Sequence, residues 1–121
     1  MKICEVKDIL EAEVLCGHNL LNNEVTSAFG SDLMSDVLAF VKGKTLLLTG
    51  LTNQQVIRTA EMADLGAIVF VRGKKPEEVI VKLAEENGIV LLMTRDTMYT
   101  ASGKLYGRGL AGVNIDKLLA K

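Results

Sequence analysis

Three short apolar runs start at equal intervals along the chain: TLLLT at Thr45–Thr49, AIVFV at Ala67–Val71 and IVLLM at Ile89–Met93, each beginning 22 residues after the last. Each is followed by a polar loop carrying Gly or Arg, and then by a helix-like stretch. Apolar runs too short to be helices, alternating with helical patterns, imply parallel strands covered by helices on both faces. A solenoid is the other architecture that repeats at such a period. The side chains do not repeat between units and the leucine-rich pattern is absent, so minimal βα units explain the spacing better. In open parallel sheets ligands bind in the crevice outside the carboxyl ends of the strands. The pattern therefore says where a ligand would sit before it says which one.

The flanking segments fit the same plan. Val6–Ala12 reads as a short helix with Val6, Ile9 and Leu10 on one side, and Glu13–Cys16 as a strand. Asn22-Asn23 marks a turn. Val25–Phe29 alternates apolar and polar, which fits a half-buried strand. Ser31 or Asp32 is placed to cap a helix over Leu33–Val41, with Leu33, Val37, Leu38 and Val41 facing inward. Asn53 is a good cap for a helix to about Asp64 that buries Val56, Ile57 and Ala60. Pro76 falls in a first-turn position, followed by Glu77 and Glu78, which suit the positive helix end. Val79, Ile80, Leu83 and Ala84 form the next buried stripe, and Asn87-Gly88 ends that helix. Asp96 or Thr97 can cap a helix to about Tyr106, and Ile115–Ala120 reads as a short final helix.

At 121 residues the length predicts one domain over 1–121, large enough for a core without disulfides or metal. The apolar fraction, 49%, is high for so small a chain, and burial of the excess between two copies predicts a homodimer. A formal net charge of −1 with mixed signs argues against nucleic acid and against an anionic membrane. The two cysteines, Cys4 and Cys16, form no CxxC pair, so no zinc or thioredoxin signature exists. The charged start of the chain lacks a signal-peptide apolar region, and no run approaches a membrane span. A reduced, cytoplasmic protein is the expectation.

The strand-end loops are Thr49–Asn53, Arg72–Pro76 and Thr94–Thr97. Parallel strands would bring all three to one edge, each opening a helix whose first N–H groups are free and attract anions. Arg72, Lys74, Lys75 and Arg95 add positive charge, while Thr49, Thr52, Asn53, Thr94 and Thr97 add hydroxyls and an amide. The expected ligand site is Asp32, Thr49, Gly50, Asn53, Arg72, Gly73, Thr94 and Arg95. The N–H groups after Gly50 and Arg95 would hold an anion, the two arginines would neutralise it, and Asp32 at the rim would orient a hydroxyl. Against this stands the ordinary reading that these are capping residues and solvated cations.

Three other patterns carry less. Gly43-Lys44-Thr45 resembles the end of a P-loop, but Leu38 occupies the first glycine position and the tripeptide precedes a strand instead of following one. Cys16-Gly17-His18 sets a thiol near the only imidazole, yet Gly17 disrupts the strand and no orienting carboxylate is evident. A buried structural Cys beside a surface His is the simpler reading, and a lone His makes a poor metal site. Asp32 and Asp36 lack further ligands for a metal.

The stretches GSDLMSDVLA (30–39), LLLTGLTN (46–53), RTAEMAD (58–64) and VFVRGK (69–74) resemble the DRTGG domain family in its stand-alone form. The resemblance covers nearly the whole chain. It implies a fold like the MurF and HPr-kinase N-terminal domains and, because related domains sit beside CBS domains and within some phosphotransacetylases, a regulatory or ligand-sensing module with no catalytic role. The family takes its name from an Asp-Arg pair in one strand-end loop and Thr-Gly-Gly in the next. Here those loops read Leu51-Thr52-Asn53 and Val71-Arg72-Gly73, so only Gly73 matches. The P-loop half of HPr kinase/phosphorylase has no counterpart in the chain.

The expectation is thus a single α/β domain, a largely parallel sheet flanked by helices, without cofactor, metal or catalytic residues. It would bind a small anionic ligand, a nucleotide foremost, and form a homodimer. A pure oligomerisation or protein-interaction module is the alternative, and an enzyme built on Cys16 and His18 the third reading.

Overall fold

The computed structural model describes residues 1–116; the expected final helix over 115–120 falls largely outside them. Five helices and five strands follow one another as α1 (Ile3–Leu10), β1 (Glu13–Cys16), β2 (Ser27–Gly30), α2 (Met34–Phe40), β3 (Thr45–Thr49), α3 (Gln54–Met62), β4 (Ala67–Phe70), α4 (Glu78–Glu86), β5 (Val90–Met93) and α5 (Met98–Gly107). They form one sheet in the order β1-β5-β4-β3-β2. The three evenly spaced runs are the adjacent central strands and pair in parallel, with Leu46 opposite Ala67 and Ala67 opposite Val90. β2 adds a fourth parallel strand, and β1 runs antiparallel on the far side of β5.

Alternate side chains of the same run serve two cores. Leu47, Ile68, Phe70 and Leu91 pack with Val37, Val56, Ile57 and Ala84 from α2, α3 and α4. Leu46, Leu48, Val69 and Leu92 pack on the other face with Ile3, Val6, Ala101 and Leu105 from α1 and α5. Every residue of β3, β4 and β5 is buried, which is why these strands read as unbroken apolar runs instead of alternating ones. The three crossover helices α2, α3 and α4 share one face, as successive connections of one hand require. After β5 the chain crosses to the face that α1 covers.

Several helix limits differ from the pattern reading, each for a local reason. α1 starts at Ile3 because Glu5 Oε1 accepts the Lys2 N–H at 3.0 Å, and the buried stripe is Ile3, Val6 and Leu10. Val37 and Val41 are buried as expected, but Met34 replaces Leu33 in the buried stripe, and Leu33 and Leu38 are 57% and 41% exposed. Neither Ser31 nor Asp32 is its cap. The cap is Leu33, whose N–H donates to Ser31 Oγ at 3.0 Å, and Asp32 is drawn elsewhere. α4 starts at Glu78 with Glu77 as cap, so Pro76 lies before the helix, and Val79 is 67% exposed beside buried Ile80 and Ala84. β2 begins at Ser27; Val25 is instead held by the first residue of the chain, through its N–H to the Met1 carbonyl at 2.8 Å. The caps at Asn53 and Thr97 are as expected, accepting from Val56 N and Thr100 N.

Candidate functional site

β3 ends in buried Thr49, and the chain must turn there to enter α3. The turn is fixed from outside by Asp32, on the loop after the neighbouring strand β2. Asp32 Oδ1 accepts the Thr49 hydroxyl at 2.9 Å and the Gly50 N–H at 2.7 Å. Thr49 Oγ1 in turn accepts the Leu51 N–H at 3.2 Å. The carboxylate of one loop thus shapes the next one, a charge-assisted arrangement stronger than a neutral hydrogen bond. Asn53 then caps α3, its Oδ1 accepting the Val56 N–H at 3.3 Å.

The loop after β4 is a tight reversal. Arg72 and Gly73 have φ of +61° and +67°, and Lys74 N–H donates to the Val71 carbonyl at 3.2 Å. Two successive positive φ values define a type I′ turn, whose central positions favour Gly, Asn and Asp. Arginine at the first of them is held left-handed against its intrinsic preference. The backbone is pinned on the far side, Arg72 N–H to the Asp96 carbonyl and Gly73 N–H to the Thr94 carbonyl, both at 2.8 Å. The Arg72 side chain lies across Gly50: a Cβ added there would stand 2.5 Å from Nη2. Only a residue without a side chain leaves the guanidinium that position. Among the described residues the ion pairs are Lys7–Asp8, Lys75–Glu13 and Lys104–Asp96, so Arg72 has no carboxylate partner.

Asp32, Thr49, Gly50 and Arg72 therefore come together, with Asn53 and Gly73 in supporting turns. Thr94 and Arg95 are placed differently. Thr94 is buried, donates its hydroxyl to the Leu10 carbonyl at 3.0 Å and accepts the Asp96 N–H at 3.3 Å, tying α1 to the end of β5. Arg95 lines a separate cavity of about 360 Å³ with Glu11, Glu13, Asp96 and Lys104. Asp96 was missed in the sequence as a site-shaping residue: its carbonyl anchors Arg72 and its carboxylate pairs with Lys104 at 2.9 Å. Also missed was an apolar groove of about 320 Å³ between α5 and β2, with Leu48, Leu105 and Leu110 in it and Tyr99 and Tyr106 at its margin. Its signal in the sequence was two tyrosines seven positions apart around Ser102-Gly103.

The Cys16–His18 reading meets a geometric obstacle. Cys16 is 1% exposed, and its Sγ–H donates to the Ile89 carbonyl at 3.3 Å. Burial pushes the thiol pKa up, away from the thiolate a nucleophile needs. Gly17 turns the chain at φ +86° against Val90, so strand geometry does not carry His18 back over the thiol; His18 is exposed in a 3-10 turn. No group of three or more potential metal ligands occurs among the described residues, and no described helix is long and apolar enough to cross a membrane.

A comparison with curated proteins returned no match. Among solved structures the fold is similar to the crystal structure of the CBS and DRTGG domains of the regulatory region of Clostridium perfringens pyrophosphatase, complexed with its activator diadenosine tetraphosphate. The TM-score is 0.69 at 16% identity, over 86% of this chain and 45% of that one, so the likeness is one of fold and spans less than half of the neighbour's length. The model of the DRTGG domain matches residues 5–106, which include all five strands and all but the ends of the helical layer, and the chain belongs to the DRTGG domain family.

Proposed function

We propose that this DRTGG domain is a ligand-sensing regulatory module that binds a small anionic ligand, a nucleotide foremost, at the carboxyl edge of its sheet. The observation that carries the reading is the Arg72 guanidinium, unpaired among the described residues and lying across Gly50 at the entry to α3. A cation held by a turn of unfavourable conformation at the entry to α3 can receive an anion through its charge and its own guanidinium N–H groups, while the Gly50, Leu51 and Val56 N–H groups are engaged by Asp32, Thr49 and Asn53. Asp32 and Thr49 set the loop, Gly50 leaves room, Asn53 opens α3, and Gly73 and Thr94 hold the Arg72 turn. Arg95 stands apart from it, in the cavity beside Glu11 and Glu13. That the similar regulatory region binds a dinucleotide activator supports a nucleotide here. The module would act in a reducing cytoplasm, where Cys4 and Cys16, both free, stay thiols.

Thermal melting of the full chain with pyrophosphate and with nucleotides tests the reading. A ligand at a hundred times its dissociation constant adds about 2.7 kcal/mol, which for a domain of this size is roughly ten degrees. Arg72→Ala should abolish the shift with little change in the apo midpoint. An unchanged response in that variant would place the site elsewhere.

A homodimer remains part of the proposal, because Leu33, Leu38, Met62 and Val79 expose large apolar surface away from the groove tyrosines. Sedimentation at tens of micromolar should give twice the chain mass. A monomer there would remove the dimer and, with no ligand response, favour an interaction module for another protein.

A further inference from the structure

The apolar groove beside α5 is unused by the anion site, yet its lining includes Gly30, the last residue of β2. Its buried lining is Leu48, Leu105 and Leu110, all at most 3% exposed, whereas Tyr99 and Tyr106 at its margin are 90% and 73% exposed. The two tyrosines lie two helical turns apart, about 10 Å along α5. Between them Ser102 and Gly103 leave a notch. Gly103 is in the middle of a helix, where glycine is the least favourable residue short of proline. A Cβ built on it meets nothing within 4 Å, so neither packing nor a left-handed φ calls for glycine there. What a side chain would do at that position is fill the groove.

The groove and the anion site are linked along the chain by the loop after β2. Gly30, at its upper end, packs against Met98 and Ser102 at the start of α5. Asp32 follows two residues later, at most about 7 Å along the backbone, and its carboxylate binds the Gly50 N–H at 2.7 Å. Across Gly50 lies Arg72. A cation at one end and an apolar, tyrosine-edged slot at the other match a ligand with an anionic end and a flat aromatic end. The slot, about 320 Å³, is at the small end of ligand pockets and suits one ring system.

We propose that this groove takes the planar ring of the ligand whose anionic part sits at Gly50 and Arg72, which makes that ligand a nucleotide and not a bare phosphate or a sugar phosphate. The inference rests on the anion site proposed above. Bases stack on aromatic side chains whatever their sequence identity, so the tyrosines recognise a nucleobase without selecting it by hydrogen bonds.

Tyr99 and Tyr106 are the only tyrosines and the chain has no tryptophan, so the intrinsic emission of the whole protein reports this groove and nothing else. The full chain is titrated with ADP, GDP, CDP and UDP, and separately with pyrophosphate, following tyrosine emission, corrected for ligand absorbance, and the melting point. At least one nucleotide should change emission saturably and raise the melting point, while pyrophosphate raises the melting point without touching emission. Gly103→Leu, which fills the notch and favours the helix, should weaken nucleotide binding at least tenfold and leave the pyrophosphate response intact. A nucleotide that binds wild type and Gly103→Leu alike, with silent emission, overturns the groove and leaves the anion site standing. Emission changes that pyrophosphate does not compete with and Arg72→Ala does not weaken would keep the groove and overturn the anion site. Nucleotides and pyrophosphate inert in both readouts overturn both proposals. Emission that changes only on protein dilution would make the groove an interface between copies of this chain, and the inference would fall.

Discussion

Replacing Arg72 by glycine should separate stability from binding in a single position. Arg72 is an exposed residue at φ +61° in a type I′ turn, and its N–H donates to the Asp96 carbonyl. Left-handed backbone costs an L-residue about 1–2 kcal/mol, a cost glycine does not carry. Glycine gives back roughly 0.5–1 kcal/mol through the greater freedom of the unfolded chain. The net gain for Arg72→Gly is then about 0–1.5 kcal/mol with a midpoint of about 0.75 kcal/mol, or roughly three degrees in melting temperature at the midpoint. Arg72→Ala keeps the left-handed cost and removes only an exposed side chain, so it should stay within about 0.5 kcal/mol of wild type. Urea denaturation of the three proteins, fitted with a shared slope, resolves this order; the melting response to pyrophosphate is read on the same samples. The expected result is a glycine variant more stable than both others and, like the alanine variant, unresponsive to the anion. If Arg72→Gly is no more stable than Arg72→Ala, the argument that the turn is held against its preference is wrong. If either variant keeps the wild-type anion response, the cation at Gly50 is not the receptor.

Four further outcomes follow from the hydrogen bonds and from burial. Asp32→Ala removes the acceptor shared by Thr49 and Gly50 and, because Asp32 is exposed to solvent, should cost only about 1 kcal/mol, measured by urea denaturation, together with a weaker anion response. Thr94→Val keeps the shape of a side chain 1% exposed but strips the Leu10 carbonyl and the Asp96 N–H of their partner; a loss of about 1–3 kcal/mol is expected, and a change below ~0.5 kcal/mol would mean the tie between α1 and β5 is dispensable. A thiol reagent on the native protein should label half-buried Cys4 quickly and Cys16 only as fast as the domain opens. Because burial raises the Cys16 pKa in the folded state, its contribution to stability is full below the ordinary thiol pKa and declines as pH rises through the raised value. The alkaline loss of stability should therefore be smaller in Cys16→Ala, and an identical alkaline profile would contradict the assignment.

How much of this was legible in the chain differs from residue to residue. The parallel centre of the sheet was, because strands buried on both faces must be apolar throughout and their crossovers must each hold a helix. The caps at Asn53 and Thr97 were, because a cap acts over three residues. The start of α2 was not, nor the exposure of Leu33 and Leu38. Asp32 looks like a helix cap in sequence, but its carboxylate is drawn 17 and 18 positions along the chain to Thr49 and Gly50, and the helix starts two residues later. The place of β1 was not legible either, since its antiparallel pairing sets Cys16 opposite Leu91, a partner no local pattern names.

For the candidate site the same division holds. Short-range chemistry, the Gly, Arg and Thr of the strand ends, is written in the sequence, and so is the inference that parallel strands gather them at one edge. The face to which each loop turns is not. The helices after β3 and β4 pack on one side of the sheet, whereas the helix after β5 joins α1 on the other. Arg72 accordingly crosses Gly50, while Arg95, equivalent to it in sequence pattern, is carried to a cavity beside Glu11 and Glu13. A buried strand is apolar on both faces, so it holds no record of the side its following helix will take. That choice is made only when α1, α5 and the tyrosine-bearing groove close the second layer.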